Sequence, residues 1–370
     1  MLPPIEDRDR LLTELDRGES LPAHWYTEPA ITALEIEKIF RKTWSYIGCT
    51  PALARTGDFV TGNVGEVPVV VVRNEKGLAA FVNVCRHRKH EVMSGCGNAR
   101  TMQCPYHAWT YDLNGCLREA PRSSAERDFK AGDYPLLPVR VETLGTFVFV
   151  NLEKNAASLA SYFRPVLDLI ATSGIDLETL ELHQRDEWTA PANWKTMLEN
   201  YLECYHCAVA HPGFSATIDV TPSQYKLAEH GWCSSQLAPP RAAALEGTSR
   251  IKTYDARGSV AQAQYHFLWP NLTININPGF PNLSLDVWAP DGPRLTKGFT
   301  DRFFGPGVPQ QFAEELIAFS RQVGEEDTAL VSSVQRGLSG GLPERCRLLP
   351  GSEHLCIHFQ KLVVHALAQQ

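Results

Sequence analysis

Residues 85–107 read CRHRKHEVMSGCGNARTMQCPYH, and the placing of thiol and imidazole side chains in this stretch decides how the chain is built. Cys85-Arg86-His87 supplies one of each. After sixteen intervening residues, Cys104-Pro105-Tyr106-His107 supplies one of each again. Two short loops that each carry a Cys and a His suit a [2Fe–2S] cluster in which two imidazoles replace two thiolates on one iron, a replacement that raises the reduction potential. Structural zinc also takes two thiolates and two imidazoles, but usually from C-x2–4-C paired with H-x3–5-H, whereas each half here mixes the ligand types. His90, three residues past His87, is a rival ligand that would break the C-x-H pattern.

Around these loops, from Gly57 to Leu152, the chain reads as short β runs: DFVTGNV, VPVVVVRN, LAAFVNVC, ARTMQCPYH, WTYDL and RVETLGTFVFVNL. Gly-, Asn- and Asp-rich turns separate them. Before this insert, residues 29–46 carry a helical stripe of Leu34, Ile36, Ile39, Phe40 and Trp44. After it the texture is mixed. Helices are expected over 158–173 and 193–207, strands between Tyr265 and Phe304, and a long helix from Pro309 to Arg336 with Pro at the favoured first position. The fold class is α+β: a small antiparallel-β domain, 40–153, inserted in a larger catalytic domain, 1–39 with 154–370, whose antiparallel sheet is covered by helices.

The chain has 370 residues, 44% apolar and 21% charged, with 35 basic against 42 acidic side chains. That net charge of −7 argues against nucleic acid and anionic membranes as partners. The N-terminal MLPPIEDRDRLLTELDRGES has no apolar core of a secretory signal, and the aliphatic run Val67–Val72 is too short to span a bilayer. A cytoplasmic location follows, where ten cysteines point to metal before disulfides. Cys96 and Cys116 flank the second loop without completing the pattern. Cys49, Cys233, Cys346 and Cys356 stand alone and read as small buried apolar residues.

A second constellation lies in residues 193–211, NWKTMLENYLECYHCAVAH. Trp194, Leu198, Tyr201, Leu202 and Tyr205 recur at helical intervals, which puts Glu203 and His206 on one face, one turn apart. His211 falls where Pro212 and Gly213 mark the end of that helix. Two histidines and one carboxylate on one face of Fe(II) leave positions open for O2 and substrate. The late helix offers the carboxylate. Its stripe runs Phe312, Leu316, Phe319, Val323, Asp327, Leu330, Val334, so Asp327 takes a core position where an unpartnered carboxylate would be costly. The competing reading is that the pattern drifts and Asp327 faces solvent beside Glu325 and Glu326.

Together the two motifs resemble the Rieske non-haem iron oxygenases, specifically their large α subunit. The resemblance covers most of the chain, from the helix at 29–46 through the cluster loops and the N-W-K…E-N…Y-H-x4-H segment to the late Asp helix. It implies Cys85 and Cys104 on one iron of the [2Fe–2S] cluster and His87 and His107 on the other. It implies His206, His211 and Asp327 around a mononuclear Fe(II), and Glu203 as the carboxylate that links a cluster histidine to an iron-ligand histidine. The first loop departs from the usual CRHRG by Lys89, and the second from the usual CPYHGW by Ala108.

The string E-C-Y-H-C resembles the branch that oxidises choline, glycine betaine and carnitine. The expected activity is therefore O2-dependent hydroxylation or oxidative demethylation of a small quaternary amine. The alternative is an aromatic-ring-hydroxylating α subunit acting on an aromatic carboxylate or a related aromatic compound. A cation would want an aromatic cage. Phe267, Trp269 and Trp288 lie where they could line a pocket, and an apolar core accounts for them equally well. No G-x-G-x-x-G follows a strand, so electrons are expected from a separate NAD(P)H-dependent reductase or ferredoxin. The resemblance further implies a homotrimer in which electrons cross between subunits. An electron-transfer ferredoxin would have no use for Asp327 or Y-H-x4-H, and a zinc-stabilised binding module likewise does not fit both constellations.

Overall fold

The computed structural model describes residues 8–368; the first seven residues of the expected N-terminal segment and the last two of the chain lie outside it. One unit takes the chain up to Ile39 and from Phe163 onward, and the other is Phe40–Tyr162. The second boundary falls within the helix Leu159–Thr172, later than the expected 153. Among the described residues, no helix is long and apolar enough to cross a membrane.

The smaller unit is built on a seven-stranded antiparallel sheet. Its strands run, in spatial order, Ser45–Cys49, Phe147–Asn151, Pro138–Leu144, Gly77–Val82, Val67–Asn74, Asp58–Val64 and Cys96–Asn98. The run Val69–Val72 is wholly buried because strand residues alternate between two cores. Val69 and Val71 pack with Ile47, Val148 and Val150. Val70 and Val72 pack with Phe81, Cys85, Cys104 and Tyr111, beneath the two Cys/His loops.

Two expectations change here. The helix over 29–46 is α-helical only for Pro29–Glu35, widens to a π turn over Ile36–Phe40, and gives way to a strand at Ser45. The run ARTMQCPYH keeps only Met102–Gln103 as strand, because the chain from Cys104 to Trp109 folds back on itself as a loop.

The larger unit is a second seven-stranded antiparallel sheet in the order Glu181–Ala190, Thr296–Phe304, Asn282–Pro290, Leu272–Ile276, Ala263–Leu268, Cys233–Ala238, Lys226–His230. Three helices matter to the site: α1 (Trp194–Tyr201), α2 (Gln310–Gly340) and α3 (His354–Ala368). The α+β class stands as read. On α3, Phe359 packs edge-on against Trp194 and Phe267 and lies 6.0 Å from Trp269. Phe267 and Trp269 are therefore core residues, and Trp288 packs on Trp188.

The N-W-K string is an anchor. Asn193 caps α1 by accepting from the Lys195 amide at 3.0 Å, and its own amide donates to Gln335 Oε1 on α2 at 2.6 Å. Trp194 Nε1 and Lys195 Nζ both donate to Glu35, at 2.8 and 2.5 Å, and neither Lys195 nor Glu35 is exposed. One turn on, Glu199 accepts from Tyr26 and Gln360 at 2.7 and 3.0 Å. Part of the Glu199 side chain reaches the surface, but the carboxyl lies among Tyr26, Gln360 and Cys356. Burial raises its pKa to about 7 against the hydrogen bonds from Tyr26 and Gln360 and the nearby Lys195, with Glu353 adding to the rise.

A carboxyl raised in the folded state keeps its proton after the unfolded chain has lost it, so it favours folding below its unfolded pKa of 4.5 and loses that contribution as pH climbs to about 7. Glu199→Gln should lack this loss. Denaturant melts of both proteins should show the variant gaining on the wild type by on the order of 1–3 kcal/mol between pH 4.5 and 7. Parallel pH profiles would remove Glu199 from the account.

Candidate metal centres

The two Cys/His loops share one backbone design. The Cys85 amide donates to the His90 carbonyl and the Lys89 amide to the Cys85 carbonyl, at 2.8 and 3.1 Å. In the second loop the Cys104 amide donates to Trp109 and the Ala108 amide to Cys104, at 2.9 and 3.0 Å. The fifth residue of each turns left-handed, Lys89 at φ 59° and Ala108 at φ 55°. These are the two positions where glycine was expected, so the turn is kept and the Cβ is accommodated at a cost.

The thiols point inward and the imidazoles outward: Cys85 and Cys104 are each 2% exposed, while His87 and His107 lie open at the surface. Burial raises the Cys104 thiol pKa, with the adjacent Cys85 adding to it. Two unbridged thiols held together in an apolar pocket fit a metal group that takes both as thiolates. The rings of His87 and His107 are 4.7 Å apart, and His87 stacks on Trp109. Tyr111, which the sequence did not single out, is buried with its hydroxyl 3.5 Å from Cys85 Sγ and accepts from the Arg86 amide at 3.0 Å. His90 lies outside the turn, its Nδ1 2.6 Å from the Glu91 carbonyl.

The second site sits where α1 ends. The expected helix over 193–207 stops at Tyr201, and Glu203 does not ride on it. Glu203 instead caps the next turn: Oε2 accepts from the Tyr205 and His206 amides, while Oε1 accepts from His206 Nδ1. Pro212 opens a new helix, Pro212–Thr217, with His211 at its cap.

From α2, Asp327 Oδ1 reaches His211 Nε2 at 3.0 Å and His206 Nε2 at 3.5 Å, and the two Nε2 atoms are 3.1 Å apart. Cis neighbours around a six-coordinate metal with bonds of about 2.0–2.2 Å lie about 3 Å apart. The three ligand atoms already form such a face, within 4.8 Å of one another. Past Asp327 the stripe does drift: Leu330 and Val334 are exposed, and Val331 and Gln335 are buried instead.

The charges fit a cation. Burial works against protonated His206, yet the Asp327 and Glu203 carboxylates outweigh it and raise its pKa to about 9. Burial likewise opposes a rise for His211 and is outweighed by Asp327 and Glu326. Glu326, read in the sequence only as a solvent-facing neighbour, lies with Oε2 2.7 Å from His211 Nδ1. Each histidine thus has a carboxylate on the nitrogen facing away from the triad. Phe214, Tyr265, Phe319 and Tyr254 form a buried aromatic cluster nearby, Phe214 lying 6.4 Å from the His211 ring.

Cys346, read as buried, is exposed, and against the general expectation of metal before disulfides Cys204 is disulfide-bonded to Cys207.

Comparison with known proteins matches residues 43–146 to the Rieske [2Fe–2S] domain and residues 177–369 to the catalytic domain of the ring-hydroxylating alpha subunit. The first match decides for [2Fe–2S] over zinc. The carnitine monooxygenase oxygenase subunit of Acinetobacter pittii (strain PHEA-2) is 33% identical over 94% of this chain and 95% of its own. The chloroplastic choline monooxygenase of Arabidopsis thaliana is 30% identical over 98% and 88%. A solved quaternary ammonium Rieske monooxygenase, described with carnitine oxidation and inter-subunit electron transfer, superposes with TM-score 0.85 at 30% identity, covering 98% of this chain and 99% of that one.

Two outcomes follow from the geometry. Ala108→Gly or Lys89→Gly relieves a left-handed Cβ worth about 1 kcal/mol, less the added freedom of the unfolded chain. Melting followed by the cluster absorption should move up by at most about 2 °C; a clear fall would mean that the side chain contributes contacts worth more than the strain. Glu326→Gln should weaken Fe(II) binding about tenfold or more in chelator competition, with the cluster absorption unchanged. Equal affinity would leave Glu326 no role at the site.

Proposed function

The chain belongs to the Rieske non-haem iron oxygenases as their large α subunit, an oxidoreductase with a [2Fe–2S] domain and a mononuclear-iron catalytic domain, and from that premise we propose that it oxidises a small quaternary-ammonium compound. The observation that carries the site assignment is the face formed by His206 Nε2, His211 Nε2 and Asp327 Oδ1. We assign these three residues to the iron, and Cys85, Cys104, His87 and His107 to the cluster. When bound, the two groups supply one-electron storage and the reductive activation of O2 that oxidation of a C–H bond requires.

The chain's own residues orient that chemistry. Glu203 and Glu326 hold the two imidazoles by Nδ1 and so fix their tautomers, leaving both Nε2 atoms free for metal. Glu203, with one oxygen on His206 and the other on the turn that carries it, is the proposed end of the electron path. The aromatic cluster of Phe214, Tyr254, Tyr265 and Phe319 is the proposed resting place of a cation, a role that is one of two equal readings of Phe267, Trp269 and Trp288 in the sequence. The relatives named for carnitine and choline support this substrate class over an aromatic carboxylate.

A separate NAD(P)H-dependent reductase, a cytoplasmic location and a homotrimer complete the reading. That more than one copy assembles is supported by the inter-subunit transfer described for the solved relative; the number three rests on the family resemblance.

The test is anaerobic purification, which should yield a brown protein with about three irons and about two sulfides per chain. O2 uptake coupled to a reductase should then respond to carnitine, γ-butyrobetaine, glycine betaine or choline. Response only to aromatic acids would overturn the substrate class, and iron without sulfide would overturn the cluster ligands.

A further inference from the structure

Cys204 and Cys207 are joined by a disulfide across the turn that holds the first iron ligand, while the other eight of the ten cysteines are free. The bridge closes over Tyr205 and His206, and Glu203 abuts it. On the far side, the Cys207 carbonyl accepts from the His211 amide at 3.0 Å and from Ser215 Oγ at 2.8 Å. The bridge therefore ties the turn of the first histidine to the residue whose carbonyl holds the amide of the second.

Cross-linking so short a loop gains the least global stability of any disulfide, so the effect of the link is local. Cys-x-x-Cys is also the spacing of dithiols that switch readily between oxidised and reduced forms. A disulfide in a reducing compartment is more often transient than structural. Cys207 is 5% exposed and Cys204 is only half-buried, so Cys204 is the more accessible of the two residues.

We propose that Cys204 and Cys207 are a reversible thiol–disulfide couple, reacting with low-molecular-weight thiols and disulfides, that sets how firmly the Glu203–His206 turn is held. In the reducing direction a small thiolate attacks Cys204 Sγ and the Cys204–Cys207 bond breaks, leaving Cys207 as the thiol. A second small thiol then takes the first as its disulfide and frees Cys204. Two small thiols are oxidised, and the protein gains two electrons and two protons. Oxidation by the small disulfide is the reverse. The consequence for iron rests on the ligand assignment proposed above; the couple itself does not.

The full-length holoprotein is equilibrated in glutathione buffers of graded ratio, trapped with iodoacetamide and mapped by mass spectrometry. The Cys204–Cys207 peptide should titrate as one two-electron transition. Hydrogen–deuterium exchange should show the amides of Tyr205, His206 and His211 opening faster in the reduced form. Fe(II) loss to a chelator should be about tenfold faster when reduced, the size expected for disturbing a ligand's supporting contacts. Cys207→Ser, with Cys204→Ser as a second variant, should behave as reduced in every buffer.

A pair that stays alkylatable in all buffers, or a bridge that opens only on denaturation, overturns the proposal. So does exchange at 203–211 that is equal in the two forms. Protein that takes up no mononuclear iron while the pair still titrates and exchange still changes would refute the ligand assignment and leave the couple standing.

Discussion

Lys195 and Glu35 are both shut away from water, and charges so placed cost several kcal/mol each to desolvate unless they find each other. Here they do, and Trp194 adds its indole to the same carboxylate. Removing one partner of such a pair costs about 3–5 kcal/mol, because the other is left stranded. The pair pins the start of α1 to the segment near residue 35, distant in sequence. Asn193 and Gln335 pin it to α2 as well. Both histidines enter the site from the chain that leaves α1, and Asp327 enters from α2. A buried ion pair thus fixes the start of α1, and the Asn193–Gln335 bond beside it ties α1 to α2, the two elements whose meeting makes the triad.

The cluster loops were legible because ligands must be Cys and His at close spacing, and no packing argument is needed to see them. What spacing could not show is the common frame beneath. Cys85 to His90 and Cys104 to Trp109 close by the same two backbone bonds, and the histidine falls at the third position in one loop and the fourth in the other. Lys89 and Ala108 looked like departures from the turn. They keep the left-handed backbone and bear its strain instead.

At the second site the three residues read as a set do come together, but the reasons for expecting it were only partly sound. Helical periodicity put Glu203 and His206 on one helical face, whereas the helix has already ended and Glu203 is a cap. The apolar residues Leu202 and Tyr205 continued the helical count by coincidence. The stripe of α2 was followed past Asp327 to Leu330 and Val334, where the buried face has moved to Val331 and Gln335. Glu326 went unnoticed because an acidic run on a helix ordinarily means a solvated face, and nothing local announces that one member reaches an imidazole. The strand that opens the catalytic sheet, Glu181–Ala190, was missed for the opposite reason: as an edge strand it carries few apolar residues.

His211 is met at both ring nitrogens by consecutive residues of one helix, Glu326 bonding Nδ1 and Asp327 lying beside Nε2 in the face proposed for the metal. Successive helical positions point about 100° apart, so the ring bridges two headings of a single shaft. Turning α2 about its axis would withdraw both carboxylates together. One residue inserted between Pro309 and Glu326 would do the same, whereas an insertion beyond Gly341 would leave the grip untouched. The length of the first half of α2 is therefore counted out by an imidazole: its exposed positions should tolerate substitution, but the segment should be closed to change in number.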